Sequence, residues 1–403
     1  MITFSILSFI IISIFEQIKL ASTQILSKKF IFSQHLLQLE GITETNNKTF
    51  SAVIDITSPF SYTHRNFLFD RYTTKPREIR SFQMNYLGKN YDVREFQETL
   101  NITDNDSIQN FNYYLLERNF HNKYHPTSVF SFGFNVHNEL HSLTHLLYTN
   151  NVIRKAEFGL SFENKEEEND GWIHFGGLPK EILQSECQYN LTIKIDGRGG
   201  LWSFKNSFII FPKEKEVLST KDYYAYFSTL TPYIVLPTEP YNFVINTYLN
   251  KYVHLHKCRK YGYGIREYDC ECSILKEMSP IGFIVDNNYL LFHPEDLFHK
   301  YENLCVFQII LNEGEGIDED NAYIILGTRF LWKYIPLFSY EDRSVTLFSR
   351  SPFESISFVD QLLIQKKYKL IFIFIFLLML IGSFILIRMK CINNSYSFLN
   401  WVA

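Results

Sequence analysis

The chain has 403 residues, which is long enough for two domains or for one large protein of two lobes. Hydrophobic residues make up 46% of it and charged residues 20%, so a sizeable core is possible and global disorder is excluded. The net charge is −4 and no basic stripe runs along the chain, which argues against a nucleic-acid partner. The 38 Phe and 26 Tyr residues favour β-structure over helix bundles.

The first segment with a recognisable pattern is apolar and runs from Ile2 to Phe15. It is too short to span a membrane comfortably, so we interpret residues 1–22 as a signal peptide with a cleavage site near Lys19–Ser22. A buried N-terminal helix is the alternative interpretation. The signal peptide predicts that the chain enters the secretory pathway.

Short apolar or alternating runs, separated by turn residues, predict a long series of β-strands. The predicted strands are Lys29–Leu39, Thr49–Ile56, a hairpin of Phe82–Tyr91 and Val93–Leu100 around Gly88, then Glu157–Phe162, Gly171–Phe175, Tyr189–Ile195, Phe204–Phe211, Ile281–Phe292, Cys305–Leu311, Ala322–Leu326 and Val345–Phe348.

Helices are few in this pattern. The strongest helix prediction is Thr238–Lys251, with Thr238 as N-cap and Pro240 in the first turn. Leu140–Asn150 has the spacing of one short helix, and Pro179–Leu183 predicts a helical turn. Many strands and few helices predict an all-β protein.

The C-terminal part carries a second apolar run, Leu370–Ile387, which predicts one transmembrane helix over residues 370–388. Residues 351–369 then form a juxtamembrane stalk, and residues 389–403 form a short tail. Lysines upstream of the run oppose the positive-inside rule, but a cleaved signal peptide places the bulk of the chain in the lumen. We therefore expect a single-pass type I protein of the secretory or endolysosomal lumen or of the cell surface, with a cytosolic tail.

Sequons and cysteines agree with a secretory route. Four glycosylation acceptors precede the predicted membrane segment: Asn47, Asn101, Asn105 and Asn190. Five cysteines lie on the same side: Cys187, Cys258, Cys270, Cys272 and Cys305. Because five is odd, one of them is unpaired or pairs with another chain.

Two stretches about 170 residues apart look like internal repeats. Val53–Pro59 is a short apolar run that ends in Asp55 and a turn, and Ala225–Pro232 has a similar form with Ser228 in place of the acid. Both resemble the two active-site loops of pepsin-like aspartic proteases, in which each lobe carries an Asp-Thr-Gly loop and the two Asp residues meet in the cleft.

Other stretches follow in the order found in that family. Tyr86 and Gly88, followed by Glu98-Thr99, are similar to the family's flap. Further similar stretches are Ser128–Gly133, Gly171–Gly177, Val235–Pro237 and Ile324–Gly327, with Thr328 where the family has an Asp. The resemblance covers roughly residues 25–349. It implies an all-β, two-lobed fold with lobes at residues 23–195 and 196–350.

The resemblance also implies a site, and the site is altered. In the family, two carboxylates share one proton, so that one acts as general base on a water and the other donates a hydrogen bond to the substrate carbonyl. Here Asp55 is kept, but the second position is Ser228, whose hydroxyl cannot alternate between acid and base. Thr57 and Leu230 stand where the family has Gly.

In the family, one threonine in each loop ties the two loops together by hydrogen bonds. Here the first-loop threonine is replaced by Ile56, and the second-loop threonine is present as Thr229. Tyr86, Gly88 and Thr229 are the substrate-binding positions that the resemblance implies. No cofactor and no metal are expected.

Two hypotheses of function follow. The first is a membrane-tethered aspartic-protease-like protein that has lost catalysis and whose cleft binds a peptide or protein ligand. The second is an active endopeptidase that uses Asp55 with an unexpected partner. The acids near the required positions, Asp92, Glu95, Glu98 and Asp222, are more simply surface charges.

Single residues also have plainer interpretations. Asp55 is alternatively a hydrogen-bonded loop acid without catalysis, and Tyr86 a strand aromatic. Ser228 as a nucleophile would need a histidine, and no motif places one beside it.

Metal-ligand residue types cluster between residues 254 and 272: His254, His256, Cys258, Cys270 and Cys272. The resemblance implies a Cys272–Cys305 disulfide, and Cys258 with Cys270 would close a short loop in an oxidising compartment. A zinc site is the alternative.

Overall fold

The computed structural model describes residues 25–33, 36–43, 48–58, 61–64, 77–86, 89–101, 107–116, 128–134, 142–163, 170–205, 208–214, 216–220, 223–261, 267–285, 288–301, 303–312, 323–353, 374 and 376–383. The chain divides into two compact units, Met1–Phe353 and Glu354–Ala403. The predicted signal peptide lies outside the described residues. The lobe boundary at residues 195 and 196 falls inside the first unit and stays a prediction.

In the second unit, residues 374 and 376–383 are helical, and their large apolar side chains are exposed. Among the residues that the structure describes, no helix is long and apolar enough to cross a membrane. The transmembrane segment at residues 370–388 stays a prediction, and the tail at residues 389–403 lies outside the described range.

The first unit is built mostly of β-strands, in agreement with the predicted all-β class. They are β1 Leu26–Ser33, β2 Leu36–Thr43, β3 Lys48–Asp55, β4 Tyr62–His64, β5 Arg77–Tyr86, β6 Lys89–Asn101, β7 Ser107–Leu116, β8 Ser128–Ser131, β9 Glu157–Phe162, β10 Gly171–Phe175, β11 Tyr189–Lys194, β12 Ser203–Lys205, β13 Phe208–Phe211, β14 Glu216–Ser219, β15 Tyr224–Phe227, β16 Ile234–Leu236, β17 Cys258–Tyr261, β18 Glu267–Glu271, β19 Ile281–Val285, β20 Asn288–Phe292, β21 Phe298–Tyr301, β22 Leu304–Phe307, β23 Ile309–Leu311, β24 Tyr323–Leu326, β25 Ile335–Ser339 and β26 Ser344–Ser349.

Four sheets contain these strands. The largest has 13 strands in the order β11-β26-β25-β9-β10-β1-β2-β3-β8-β4-β7-β6-β5. An additional β2–β6 pairing closes β2, β3, β8, β4, β7 and β6 into a ring. Strands from both ends of the chain meet in this sheet, since β25 pairs with β9 while β1 pairs with β10. The smaller sheets have the orders β12-β15-β24-β16-β23, β14-β13-β19-β20 and β17-β18-β22-β21.

The pairing around β3 is repeated around β15. Strand β3 runs parallel to β8, and β15 runs parallel to β24. Strand β4 is antiparallel to β8 and parallel to β7, while β16 is antiparallel to β24 and parallel to β23. The loop that follows each first strand is therefore held in the same topological position in the two halves of the chain.

Several predicted strands turned out to be two. Lys29–Leu39 is a hairpin of β1 and β2 in which Phe30 pairs with Leu39. Phe204–Phe211 is divided into β12 and β13, Ile281–Phe292 is the β19–β20 hairpin, and Cys305–Leu311 is divided into β22 and β23. The predicted strands Glu157–Phe162 and Gly171–Phe175 are confirmed as β9 and β10.

The α-helices described in the first unit are short: Leu143–Thr149, Lys180–Glu186, Thr238–Val244, Asn250–His254, Pro294–Leu297 and Thr328–Lys333. Two 3₁₀ turns, Arg198–Gly200 and Cys272–Lys276, and a π-helical segment, Ile245–Leu249, complete them. The predicted helix Thr238–Lys251 is confirmed and extends to His254, with the π-segment in its middle. Its N-cap is Pro237, so the prediction of Thr238 as N-cap was wrong.

An aromatic cluster packs Trp202 between the two halves of the chain. Trp202 is fully buried, and its indole N–H donates a 2.8 Å hydrogen bond to the carbonyl of Phe132. Its ring lies 5.1 Å from Phe338 and 4.8 Å from Tyr340, both edge-on. Phe158 stacks on Phe338 at 4.6 Å. The cluster therefore joins β8 and β9 to β25 and to the segment before β12.

A buried histidine lies in the large sheet. His174 on β10 is 3% exposed, and its Nδ1 and Nε2 are each 2.8 Å from a serine hydroxyl, Ser27 on β1 and Ser161 on β9. Burial lowers the pKa of His174 to about 4. The imidazole is therefore neutral at physiological pH and links three strands.

Candidate active site

Asp55 is the last residue of β3, and its side chain is fully buried. Its Oδ1 accepts two hydrogen bonds from Thr57, one from the backbone N–H at 2.7 Å and one from the hydroxyl at 2.5 Å. Its Oδ2 is buried without a hydrogen-bond partner among the described residues. One carboxylate oxygen is therefore held by the loop, and the other remains able to bind.

Burial raises the pKa of Asp55, since desolvation disfavours the charged carboxylate. Hydrogen bonds from Thr57 and from the backbone of Ser58 lower the pKa by a smaller amount. The environment of Asp55 thus favours the protonated acid more than water does.

Ser228 occupies the matching position after β15 and is 4% exposed. Its backbone N–H donates to the carbonyl of Leu326 at 3.0 Å, which continues the ladder between β15 and β24. Its Oγ accepts a 3.2 Å hydrogen bond from the N–H of Leu230, two residues on, as Asp55 accepts one from Thr57. The hydrogen bond from the N–H two residues on is made in both loops, but only Asp55 supplies a carboxylate.

The two loops are joined through Thr229. Its hydroxyl donates a 2.5 Å hydrogen bond to the carbonyl of Ile54, and the N–H of Ile56 donates to the same hydroxyl at 3.3 Å. Ile56 is fully buried and has no polar side-chain atom with which to return the bond. The side chain of Thr229 on the second loop therefore makes this connection, and Ile56 on the first loop makes no matching side-chain hydrogen bond.

Serines brace the first loop from β8. Ser131 donates its hydroxyl to the carbonyl of Ser58 at 2.5 Å and its backbone N–H to the hydroxyl of Ser61 at 3.0 Å. All three serines are buried. Ser131 stands where the resemblance leads one to expect Gly, and its hydroxyl supplies a bond that Gly lacks.

Tyr226 is a residue of this site that the sequence analysis missed. It is half-buried on β15, two residues before Ser228, and its ring is edge-on to Tyr323 at 5.5 Å. Burial and the nearby charge of Asp55 raise the pKa of its phenol. The period of two along a strand places Tyr226 on the same face as Ser228, which is the signal that could have identified it.

The predicted flap is the β5–β6 hairpin, in which Tyr86 pairs with Lys89. The side chain of Tyr86 and the whole of Gly88 lie outside the described residues, so their predicted roles in binding remain predictions. The side chain of Glu98 and the whole of Asp222 also lie outside them. Asp92 is exposed and accepts a hydrogen bond from Gln83.

The prediction that Glu95 is a surface charge was wrong. Glu95 is 4% exposed, accepts a 2.6 Å hydrogen bond from Arg80 on β5, and accepts a 2.9 Å bond from Asn112 on β7. Neighbouring strands on both sides supply the partners that make this burial possible.

Both predicted disulfides are present, Cys258–Cys270 and Cys272–Cys305. Their four sulfur atoms are thereby unavailable as thiolate ligands for zinc. Among the described residues, no group of three or more metal-ligand side chains is close enough to hold an ion.

Two of the predicted glycosylation sites can be placed. Asn190 is exposed on β11, and Asn101 is the last residue of β6. Asn47 and Asn105 lie outside the described residues.

A family model described as eukaryotic aspartyl protease matches residues 80–349. The match includes Ser228 and the two disulfides, and it begins after the Asp55 loop. No curated protein matches the chain.

Proposed function

The chain belongs to the eukaryotic aspartyl protease family, and on that premise we propose that it is a membrane-tethered, non-catalytic member whose cleft between the two lobes binds an extended peptide. The observation that carries the proposal is Ser228, a hydroxyl where the family's chemistry needs the second carboxylate.

The chemical argument concerns proton transfer. Hydrolysis by a carboxylate pair needs one ionised partner to activate water and one protonated partner to bind the substrate carbonyl. Asp55 can take either state but not both at once. The Ser228 hydroxyl can donate a hydrogen bond, but at any working pH it neither accepts nor releases the proton that the cycle requires.

The loop architecture supports a retained binding role. In both loops the backbone N–H two residues further on donates a hydrogen bond to the side chain, from Thr57 to Asp55 and from Leu230 to Ser228. The hydroxyl of Thr229 still joins the two loops. Ser131 and Ser61 brace the first loop at buried positions. Rigid loops around Ser228, which replaces a catalytic Asp, are suited to binding a peptide without hydrolysing it.

The proposal of a membrane tether rests on the sequence. The apolar segments at residues 2–15 and 370–387, four sequons and two disulfides are features of a chain that enters the secretory pathway. The lumenal part is then exposed to the compartment in which peptide ligands would be met.

The second candidate is an active acid endopeptidase based on Asp55. It is favoured by one observation, the unpartnered and buried Oδ2 of Asp55, together with the raised pKa of that residue. Such a carboxyl group could act as a general acid if a second acid came from elsewhere.

Peptide cleavage separates the two functions. The full-length chain, purified in detergent micelles, is incubated with a library of unstructured peptides from pH 3 to pH 8, beside the Asp55→Ala variant as matched control. We expect no cleavage above that of the variant at any pH, and retention of a subset of the peptides by the immobilised protein. Cleavage that Asp55→Ala abolishes would establish the endopeptidase, and absence of both cleavage and retention would overturn the binding role.

A further inference from the structure

Three cysteines lie on one small sheet, β17-β18-β22-β21, and a fourth, Cys272, follows directly after β18. Cys258 stands directly opposite Cys270 across the β17–β18 ladder, and Cys305 stands directly opposite Cys270 across the β18–β22 ladder. Directly opposite residues of an antiparallel pair share one face of the sheet, with Cβ atoms about 4.5–5.5 Å apart. Cys270 therefore has a cysteine neighbour on each side.

The observed bonds use only part of this arrangement. Cys270 is bonded to Cys258, while Cys305 is bonded to Cys272, two residues beyond Cys270. Cα atoms that face each other in an antiparallel pair are separated by about 4.5 or 5.5 Å, and both distances lie in the range that disulfides span. A Cys270–Cys305 bond would thus fit the Cα separation of the existing strand register, and it forms when the two Cβ atoms approach to about 4.5 Å or less.

The four cysteines differ in access to solvent. Cys258, Cys270 and Cys305 are buried at 4%, 0% and 1% exposure, whereas Cys272 is half-buried. An external thiolate must reach a sulfur atom to open a disulfide. Cys272 is therefore the sulfur atom at which attack begins.

We propose that these cysteines form a thiol-sensitive exchange set, in which reduction at Cys272 converts the two observed disulfides into one Cys270–Cys305 disulfide. The reductant is a small-molecule thiol of the secretory pathway or the dithiol of an oxidoreductase.

The exchange proceeds in three balanced steps. The external thiolate forms a bond to the sulfur of Cys272, the Cys272–Cys305 bond breaks, and the electron pair leaves on the sulfur of Cys305. The Cys305 thiolate attacks the sulfur of Cys270, the Cys258–Cys270 bond breaks, and Cys258 leaves as a thiolate that takes a proton from solvent. A second external thiol displaces the first from Cys272, so that two thiols become one disulfide and Cys258 and Cys272 end as thiols.

The exchange changes which strands are covalently joined. Before it, β17 is tied to β18, and the 3₁₀ turn Cys272–Lys276 is tied to β22. After it, β18 is tied to β22, while β17 and the turn are held by non-covalent contacts. β17 follows the helix that ends at His254, so the segment around residues 255–261 and the turn become the parts that open more readily.

Disulfide mapping of the full-length protein tests the exchange directly. The protein is treated with increasing dithiothreitol, quenched with N-ethylmaleimide and digested with a protease that cleaves after glutamate, so that cleavage after Glu271 puts Cys270 and Cys272 on different peptides. The linked peptides are identified by mass spectrometry. We expect the Cys272–Cys305 peptide to be lost as a Cys270–Cys305 peptide appears, with alkylated Cys258 and Cys272. Loss of both native links with alkylation of Cys270 and Cys305, and no Cys270–Cys305 peptide at any dose, would overturn the proposal.

A pair of double variants tests the register argument. Cys258→Ser with Cys272→Ser leaves Cys270 and Cys305, and we expect them to form a disulfide on air oxidation. The matched control, Cys258→Ser with Cys305→Ser, leaves Cys270 and Cys272, which are two residues apart in the chain and not opposite each other, and is expected to remain reduced. If the Cys258→Ser, Cys272→Ser variant folds but keeps Cys270 and Cys305 reduced, the proposal is contradicted. If this variant does not fold, the disulfide mapping of the unaltered protein decides.

Discussion

Thr229 donates its hydroxyl to the backbone carbonyl of Ile54 at 2.5 Å, although 175 residues separate them in the chain. Both residues are fully buried. One loop of the candidate site therefore depends on a side chain of the other, and the Asp55 carboxylate next to Ile54 is positioned by a residue next to Ser228.

Replacing Thr229 with Val should weaken the protein by about 1–3 kcal/mol, because the carbonyl of Ile54 and the N–H of Ile56 would be left buried without this partner. Urea unfolding followed by tyrosine fluorescence measures the change. Thr192→Val, at an exposed threonine on β11, is the control and should change the free energy of unfolding by less than about 0.5 kcal/mol. Equal effects of the two substitutions would show that Thr229 does not join the loops.

Introducing the missing acid with Ser228→Asp should destabilise the protein at neutral pH by about 3 kcal/mol, because it adds a second buried carboxylate, without a cation, on the loop that Thr229 ties to that of Asp55. Repulsion between the two carboxylates raises one pKa in the folded state. An acid whose folded pKa is raised stabilises the fold at low pH and loses that effect as pH rises. The melting temperature of the variant should therefore recover toward that of the parent between pH 7 and pH 4.

Ser228→Asn is the matched control, since it adds similar volume without charge. Its melting temperature should follow the parent's dependence on pH. If the Asp and Asn variants lose stability in parallel across this range, the two side chains at positions 55 and 228 are not close enough to interact.

His174 predicts a loss of stability in acid. Its pKa in the folded protein is about 4, against an ordinary value of 6.5. The unfolded chain therefore binds a proton first as pH falls, and stability drops from pH 6.5 downward until the folded state is protonated as well near pH 4. The shift corresponds to about 3 kcal/mol.

Substituting His174 with Gln should remove this part of the pH dependence, because the amide does not titrate while it can still hydrogen-bond to Ser27 and Ser161. Denaturant unfolding at intervals from pH 7 to pH 4 gives the slope for each protein. His254→Gln, at an exposed position, should keep the parent's slope. An unchanged slope in the His174 variant would mean that other groups cause the loss in acid.

Trp202 should be among the most sensitive positions of the core. Trp202→Ala removes a fully buried ring and should reduce the free energy of unfolding by about 3–5 kcal/mol. Trp202→Phe keeps most of the packing, and the carbonyl of Phe132 still accepts a hydrogen bond from Tyr340 at 2.9 Å, so we expect a loss of about 1 kcal/mol. Chemical unfolding of both variants checks this order, with Trp172→Phe at a half-exposed indole as the near-neutral control.

The secretory route predicts a glycan on Asn190, which is exposed on the edge strand β11. Expressed in cells with a glycosylating secretory pathway, the chain should shift in electrophoretic mobility when treated with an endoglycosidase. Asn190→Gln should remove one step of that shift, whereas Asn150→Gln, at an asparagine outside any sequon, should leave it intact. A chain of unaltered mobility after endoglycosidase treatment would contradict the predicted route.

Strands bordered by clear turn residues were predictable from the sequence, and those without them were not. Glu157–Phe162 and Gly171–Phe175 are compact apolar segments with polar loops on either side, and both are confirmed. Between β1 and β2 the sequence has Gln34 and His35, which carry none of the Gly, Pro or Asn signals that mark hairpins. The apolar pattern continues across these two residues, which is why one strand was predicted.

At the candidate site, local sequence predicted the loops but not their surroundings. Asp55 and Ser228 were identified because the stretches around them resemble the two active-site loops of pepsin-like aspartic proteases. Glu95 was misjudged because its partners come from the neighbouring strands β5 and β7, which only the sheet brings together. The bracing role of Ser131 was hidden for the same reason, since its bonds to Ser58 and Ser61 span about 70 residues of chain.

The large sheet also determines when the protein can fold. Strand β11 pairs with β26, and β9 pairs with β25, so the partners of strands near residues 160 and 190 are synthesised about 150–180 residues later. A ribosome adding 5–20 residues per second needs roughly 10–30 s to deliver them. During that interval the nascent chain presents unpaired strand edges, which are templates for association with other chains. Completion of this sheet therefore waits for the synthesis of β25 and β26, and until then the edges of β9 and β11 are open to association with other chains.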